Sequence, residues 1–197
     1  MQALLSLSRA IDAINTRIGR SIIWLVLIAV LISAGNAVVR KAFNMSSNAF
    51  LEIQWYLFSA VFMLCAAYTL LCNEHVRIDV ISGRLSKKAQ IWIDIIGLVA
   101  FLLPFAIFAV RLSAPFFYKA LVMNEMSSNA GGLVRWPVYL LMPVGFTLLA
   151  IQGVSELIKR VAFLQGLIAD PTVKKQSKTA EEELAEAIRK AALGEQK

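Results

Sequence analysis

Residues 50–72 read FLEIQWYLFSAVFMLCAAYTLLC, an apolar run with a carboxylate, Glu52, at its entrance. A helix rises 1.5 Å per residue, so ~20 such residues cover a ~30 Å hydrocarbon core. Three further runs, at about 22–39, 91–110 and 136–158, have the same character and are separated by charged segments. The chain is 58% hydrophobic, against ~45–50% for an ordinary soluble domain. That excess, gathered into blocks, predicts an all-α integral membrane protein with four transmembrane helices. A net charge of +7 would favour nucleic acid in a soluble protein. Here the basic residues flank apolar blocks, so the charge reads as membrane orientation, and no nucleic-acid partner is expected.

The stretch 1–20 precedes the first span. Leu4, Leu7, Ile11, Ile14 and Ile18 recur at spacings of three and four, while Arg9, Asp12, Asn15 and Arg17 fall elsewhere on the wheel. This is an amphipathic helix, expected to lie in the membrane interface. The region 21–166 is then a four-helix transmembrane domain, and 167–197 a charged cytoplasmic tail. Within the tail, Thr179 and Glu182 form a capping-box pattern ahead of Leu184, Ile188 and Ala191, which predicts a short helix.

Polar residues cluster at span ends. Glu52, Gln54, Trp55 and Tyr56 sit in the first two turns of the second span. Two readings stand for Glu52: a carboxylate near water at a helix N-terminus, or a contact to a partner subunit or to Arg40 or Lys41. The loop after this span carries Glu74, His75, Arg77 and Asp79. Its histidine reads first as an interfacial polar residue and second as a pH-sensitive group. Gly83 and Ser86 mark a turn before the third span. Pro104 falls mid-span and predicts a kink or a locally freed carbonyl. The longest connection, 111–135, holds Pro115, an aromatic run Phe116-Phe117-Tyr118 and a polar stretch around Glu125, and the third helix is expected to run on into it. Cys65 and Cys72 lie about 10 Å apart along one helix, too far for a disulfide.

Four spans place both termini on one side. Near span ends that side has nine basic residues: Arg9, Arg17, Arg20, Arg77, Arg84, Lys87, Lys88, Lys159 and Arg160. The other side has five, Arg40, Lys41, Arg111, Lys119 and Arg135. The positive-inside rule puts both termini in the cytoplasm.

Catalytic patterns such as a phosphate-binding glycine loop, HExxH or GxSxG do not occur, so no enzyme activity and no cofactor is expected. The span midplanes carry no Asp, Glu, Lys or Arg. Such a charge costs about 2.5–3.5 kcal/mol on insertion scales and is kept chiefly for function. A subunit that packs against others fits this better than an ion-coupled pump. A stand-alone exporter would need a carboxylate deeper than Glu52. A haem-bearing anchor of an electron-transfer complex would need a second axial imidazole beside His75.

Several motifs resemble the DctQ-like small membrane subunit of tripartite ATP-independent periplasmic (TRAP) transporters. They are Glu52-x-Gln54-Trp55-Tyr56-Leu57-Phe58, then Ala66-Ala67-Tyr68-x-Leu70, then Asn73-x-His75-Val76-Arg77-Ile78-Asp79. Trp136-Pro137-Val138-Tyr139 and Pro143-Val144-Gly145-Phe146 are similar to the family's last span. The resemblance covers about 22–166. One departure is Cys65, where many members have glycine.

The resemblance implies a location in the bacterial inner membrane and a non-catalytic scaffold role. Its partners would be a large DctM-like membrane subunit, which carries the substrate and sodium sites, a periplasmic substrate-binding protein that delivers an organic acid, and membrane lipids. It places Glu52, Gln54, Trp55, His75, Arg77 and Asp79 at a partner interface or as ties at the ends of the second span. Arg40, Lys41, Arg111, Lys119, Glu125 and Arg135 would face the binding protein.

Overall fold

Each apolar run becomes a helix in a computed structural model, which describes residues 1–44, 47–74 and 85–171. The helices are α1 (Gln2–Phe43), α2 (Asn48–Leu71), α3 (Lys87–Val122) and α4 (Trp136–Leu164). All four are long and apolar enough to cross a membrane. The predicted tail helix, and with it His75, Arg77 and Asp79, lies outside the described residues.

Asparagine or glycine ends each helix in the left-handed backbone region, at Asn44, Asn73, Asn124 and Gly166. Asparagine tolerates that region better than most side chains, which lets it serve as the residue after a C-cap. After α2, Asn73 N–H donates to Leu70 O and Glu74 N–H to Thr69 O. The same pair of bonds recurs after α3 and α4, and satisfies carbonyls that the helix end would otherwise leave open.

The boundary expected at residue 20 has no counterpart in the backbone. The 1–20 stretch and the first span form one 42-residue helix, about 63 Å long. Gly19 does not break it, because the ring of Tyr68 fills the space a Cβ would take. Most of the apolar seam does not pack on the bundle, Ile11 excepted. Leu4, Leu7 and Ile14 are exposed, whereas Ser8, Ile11, Asn15, Gly19 and Ile22 are buried. The exposed leucines stay available to hydrocarbon, and the small and polar face meets the other helices.

α3 runs on past residue 110 to Val122, as expected. Ser86 Oγ accepts Ala89 N–H at its start. One π turn, Gly97–Leu102, interrupts it just before Pro104. Proline lacks the N–H that would close the α-helical bond, and the wider turn absorbs the mismatch.

Residue contacts give an up-down-up-down order. Gly19 meets Tyr68, so α1 and α2 are antiparallel. Gly145 meets Met63 and Glu52 meets Leu133, so α2 and α4 run parallel. Gly153 meets Leu102, and Phe105 packs edge-on against Phe146 with centroids 5.6 Å apart, so α3 and α4 are antiparallel. α4 packs against each of the other three.

Small residues make the closest approaches: Ala67, Ala106, Ala120 and Ala162 are wholly buried. Large side chains such as Trp24, Phe58, Phe62 and Phe101 point outward. This distribution reverses that of a soluble bundle and suits helices surrounded by lipid, where close backbone approach replaces the hydrophobic drive.

Candidate functional site

Two polar sites hold the bundle, one at each end. The first is built on Glu52, one turn into α2 and 1% exposed. The connection 123–135 folds back over it as a small hairpin. Met126 and Val134 form a β-bridge, and Arg135 N–H donates to Glu125 O at 2.8 Å. Ser127 N–H donates to Leu133 O at 2.9 Å. The hairpin aims three donors at Glu52. Leu133 N–H reaches Oε2 at 2.7 Å, Asn129 Nδ2 reaches Oε1 at 2.7 Å, and the Ser127 hydroxyl donates to Oε1.

Tyr56, one turn further along α2, donates to Val134 O at 3.0 Å, and Asn48 donates to Ala130 O at 3.0 Å. The carboxylate needs this arrangement. A buried charge is tolerated only when hydrogen-bonded, and three donors supply that. Gly132 makes the close fold possible, since a Cβ there would lie 2.5 Å from that of Ser127.

Glu52 is therefore not the water-facing helix-end carboxylate of one sequence reading. Its bonds go to the 123–135 hairpin rather than to Arg40 or Lys41. Gln54 is half-buried beside it and Trp55 is exposed. Arg40 and Lys41 are exposed in the last turn of α1, at the same end. Lys119 is exposed in the last turn of α3, and Arg111 lies about 16 Å short of that helix end. Glu125 and Arg135 pair with each other at 3.1 Å across the hairpin base. The hydrogen bond to the Glu125 carboxylate holds the Arg135 pKa above its ordinary value. Five of the six sequence-chosen docking residues thus gather at one end, and Arg111 sits deeper.

The second site lies at the opposite end, where α1, α3 and α4 meet. Arg160 Nε contacts Asp94 Oδ2 at 3.1 Å, and its Nη1 contacts Glu156 Oε2. Lys159 pairs with Asp12 Oδ2 at 3.1 Å and with Glu156. Gln152 Nε2 donates to Asp12 Oδ1 at 3.0 Å and to Glu156 Oε1 at 3.1 Å, while its Oε1 accepts Asn15 Nδ2 at 2.7 Å. The Ser8 and Ser155 hydroxyls share a bond of 2.7 Å, and Ser155 reaches Asp12 at 2.8 Å. Asn15 Oδ1 is the one buried side-chain polar atom without a hydrogen-bond partner among the described residues.

This lock was not singled out in the sequence, although α4 carries a signal for it. The signal is the spacing of its polar residues. Gln152, Ser155, Glu156, Lys159 and Arg160 fall at i, i+3, i+4, i+7 and i+8, the pattern of one buried face written in polar residues. Ser8, Asp12 and Asn15 repeat it on α1. Ser127 and Asn129 carried no such signal, because a loop has no periodicity to show which residues face inward.

The arrangement binds helices to one another. Among the described residues no three His, Cys, Asp or Glu side chains are grouped as metal ligands. Residues 20–163 match the family model described as tripartite ATP-independent periplasmic transporters, DctQ component. The match reaches into all four helices, from the middle of α1 to the last turn of α4. No curated protein and no solved structure matches the chain.

Proposed function

The chain belongs to the DctQ-component family of tripartite ATP-independent periplasmic transporters, and from that premise we propose that it is a non-catalytic scaffold for a large DctM-like subunit. It is a multi-pass small permease subunit. In the proposed assembly it lies in the inner membrane with both termini cytoplasmic, following the nine-to-five excess of basic residues near span ends. The large subunit performs sodium-coupled uptake of an organic acid that a periplasmic binding protein delivers. The end carrying Arg40, Lys41, Lys119 and the 123–135 hairpin faces the periplasm and offers part of the docking surface. Its exposed cations suit an acidic patch on that protein.

The observation that carries the reading is where the buried and half-buried ionic groups point. Glu52, Asp12, Glu156, Lys159 and Arg160 are all engaged in holding helix to helix or helix to hairpin. A frame that must stay still while a neighbour moves needs such ties at both ends. Large outward-facing apolar side chains along the helices leave ample surface for that neighbour.

Affinity purification of the tagged chain from gently solubilised membranes tests the proposal. A second, much larger hydrophobic chain is expected in the eluate. In liposomes, solute uptake is expected only when the large subunit and the binding protein are both supplied. Solute flux through liposomes containing this chain alone would refute the scaffold role.

A further inference from the structure

The geometry points to a binding site for an anionic glycerophospholipid on the outer face of α1 and α2, with the phosphate at Arg17 and one acyl chain in the groove above it. The groove has a volume of about 290 Å³ and is lined by Arg17, Ile18, Ser21, Ile22, Leu25 and Leu64. Its walls are apolar except at one end. There the Ser21 hydroxyl donates to the Arg17 carbonyl at 2.9 Å, which leaves Arg17 as the lining residue whose side chain can bind an anion.

Three observations select the ligand. Arg17 is exposed and has no ion-pair partner among the described residues, and the same holds for Arg20 one turn on, so an anion is called for. Depth agrees: Arg17 precedes the first span and Trp24 is exposed just beyond it, at the level where indoles mark the membrane interface. From Arg17 the groove then climbs eight residues to Leu25, about 12 Å into hydrocarbon. Shape agrees as well. A helix about 10 Å across would occupy roughly three times the groove volume over that length, so a helix would lie on the groove and an acyl chain lies in it. A cation at headgroup level with an apolar channel leading inward is the complement of a phospholipid.

The proposal is independent of the subunit's role in uptake. Its test uses the full chain purified in mild detergent and titrated with phosphatidylglycerol or phosphatidylcholine of matched acyl chains, with bound lipid counted by native mass spectrometry. Phosphatidylglycerol is expected to bind more tightly. Arg17→Gln is expected to weaken it about fivefold, the size of one arginine at an anionic surface, and to weaken phosphatidylcholine, whose phosphate carries choline as an internal counter-charge, by less. Leu25→Trp, which fills the groove, is expected to weaken both lipids. Arg9→Gln, an exposed arginine two turns away on the same helix, is expected to change neither. Equal binding of the two lipids, an Arg9→Gln effect as large as that of Arg17→Gln, or undiminished binding to Leu25→Trp would each overturn the assignment. Arg17 is exposed, so its variant keeps the fold, and thermal unfolding matched to the parent chain confirms that.

Discussion

Replacing Glu52 by alanine removes the acceptor for three hydrogen bonds and leaves the helices otherwise intact. Their loss is unequal. Asn129 is exposed and the Ser127 hydroxyl can turn to another acceptor, whereas the half-buried Leu133 N–H, bonded at 2.7 Å, is fixed by the backbone and loses its acceptor. A hydrogen bond to a charged group corresponds to roughly one to two decades in a local equilibrium. Amide exchange at Leu133 should therefore quicken by about a hundredfold in Glu52→Ala, on the same conversion. Exchange at Ser127, whose N–H reaches Leu133 O, should follow it. Glu52→Gln should show a smaller rise, near tenfold, since the amide oxygen can still accept Leu133 N–H while its NH₂ turns to the Asn129 side-chain oxygen. Hydrogen exchange read by mass spectrometry on the solubilised chain makes the measurement, with peptides from the far half of α4 as the internal reference. Unchanged protection at Leu133 would refute the clamp. A uniform rise across all four helices would show instead that Glu52 supports the whole bundle.

Ion-pair and glycine variants test the rest of the packing. Arg160→Met takes the shared cation from the buried Glu156, which keeps Lys159, and from the half-buried Asp94, and should cost about 1–3 kcal/mol, read as a lower thermal midpoint in detergent. Asp94→Asn keeps an acceptor for Arg160 Nε and should cost less, and a larger loss than in Arg160→Met would contradict the pairing. Gly145→Ala sets a Cβ 2.7 Å from the Met63 carbonyl oxygen, so α2 and α4 must part. Net destabilisation up to about 2 kcal/mol is expected, strain of ~1–3 offset by ~1 of helix propensity. Gly153→Ala meets only the side-chain ends of Leu102 and Leu103, which can turn aside, and should be neutral within about 1 kcal/mol. Equal midpoints for the two glycine variants would remove the distinction between backbone and side-chain neighbours.

Membrane spans were legible because hydropathy and length decide them, and the four helices contain the four apolar runs. Pro104 announced a backbone irregularity, and the π turn Gly97–Leu102 is its form. What the sequence concealed was the use of α1. Periodicity marks an apolar face, and in water that face would be the buried one. In lipid the rule inverts: Leu4, Leu7 and Ile14 face out, while Ser8, Asn15 and Gly19 face the bundle. Glu52 shows the complementary limit. Its type and depth were readable, but its partners lie 75 to 81 residues away in a loop, where spacing carries no facing information.

That inversion also explains why the ionic groups sit where they do. Between helices in hydrocarbon no hydrophobic drive fixes which faces meet, because lipid tails are as apolar as leucine. Close approach through Gly145 and Gly19 supplies contact but little direction. Charged groups supply direction, and they are tolerable only near the ends, where desolvation is least. Asp12, Asp94, Glu156, Lys159 and Arg160 fix the rotation of α1, α3 and α4 about their axes at one end, and Glu52 fixes the hairpin that joins α3 to α4 at the other. A bundle pinned at both ends by directional bonds, with an apolar middle, resists twisting more than sliding of any one helix alone would allow. Disabling one end should therefore loosen helix rotation while leaving span insertion intact. Spin-label distances between α1 and α3 should broaden in Arg160→Met and stay narrow in Glu52→Gln, and equal broadening in the two variants would show that the ends do not act separately.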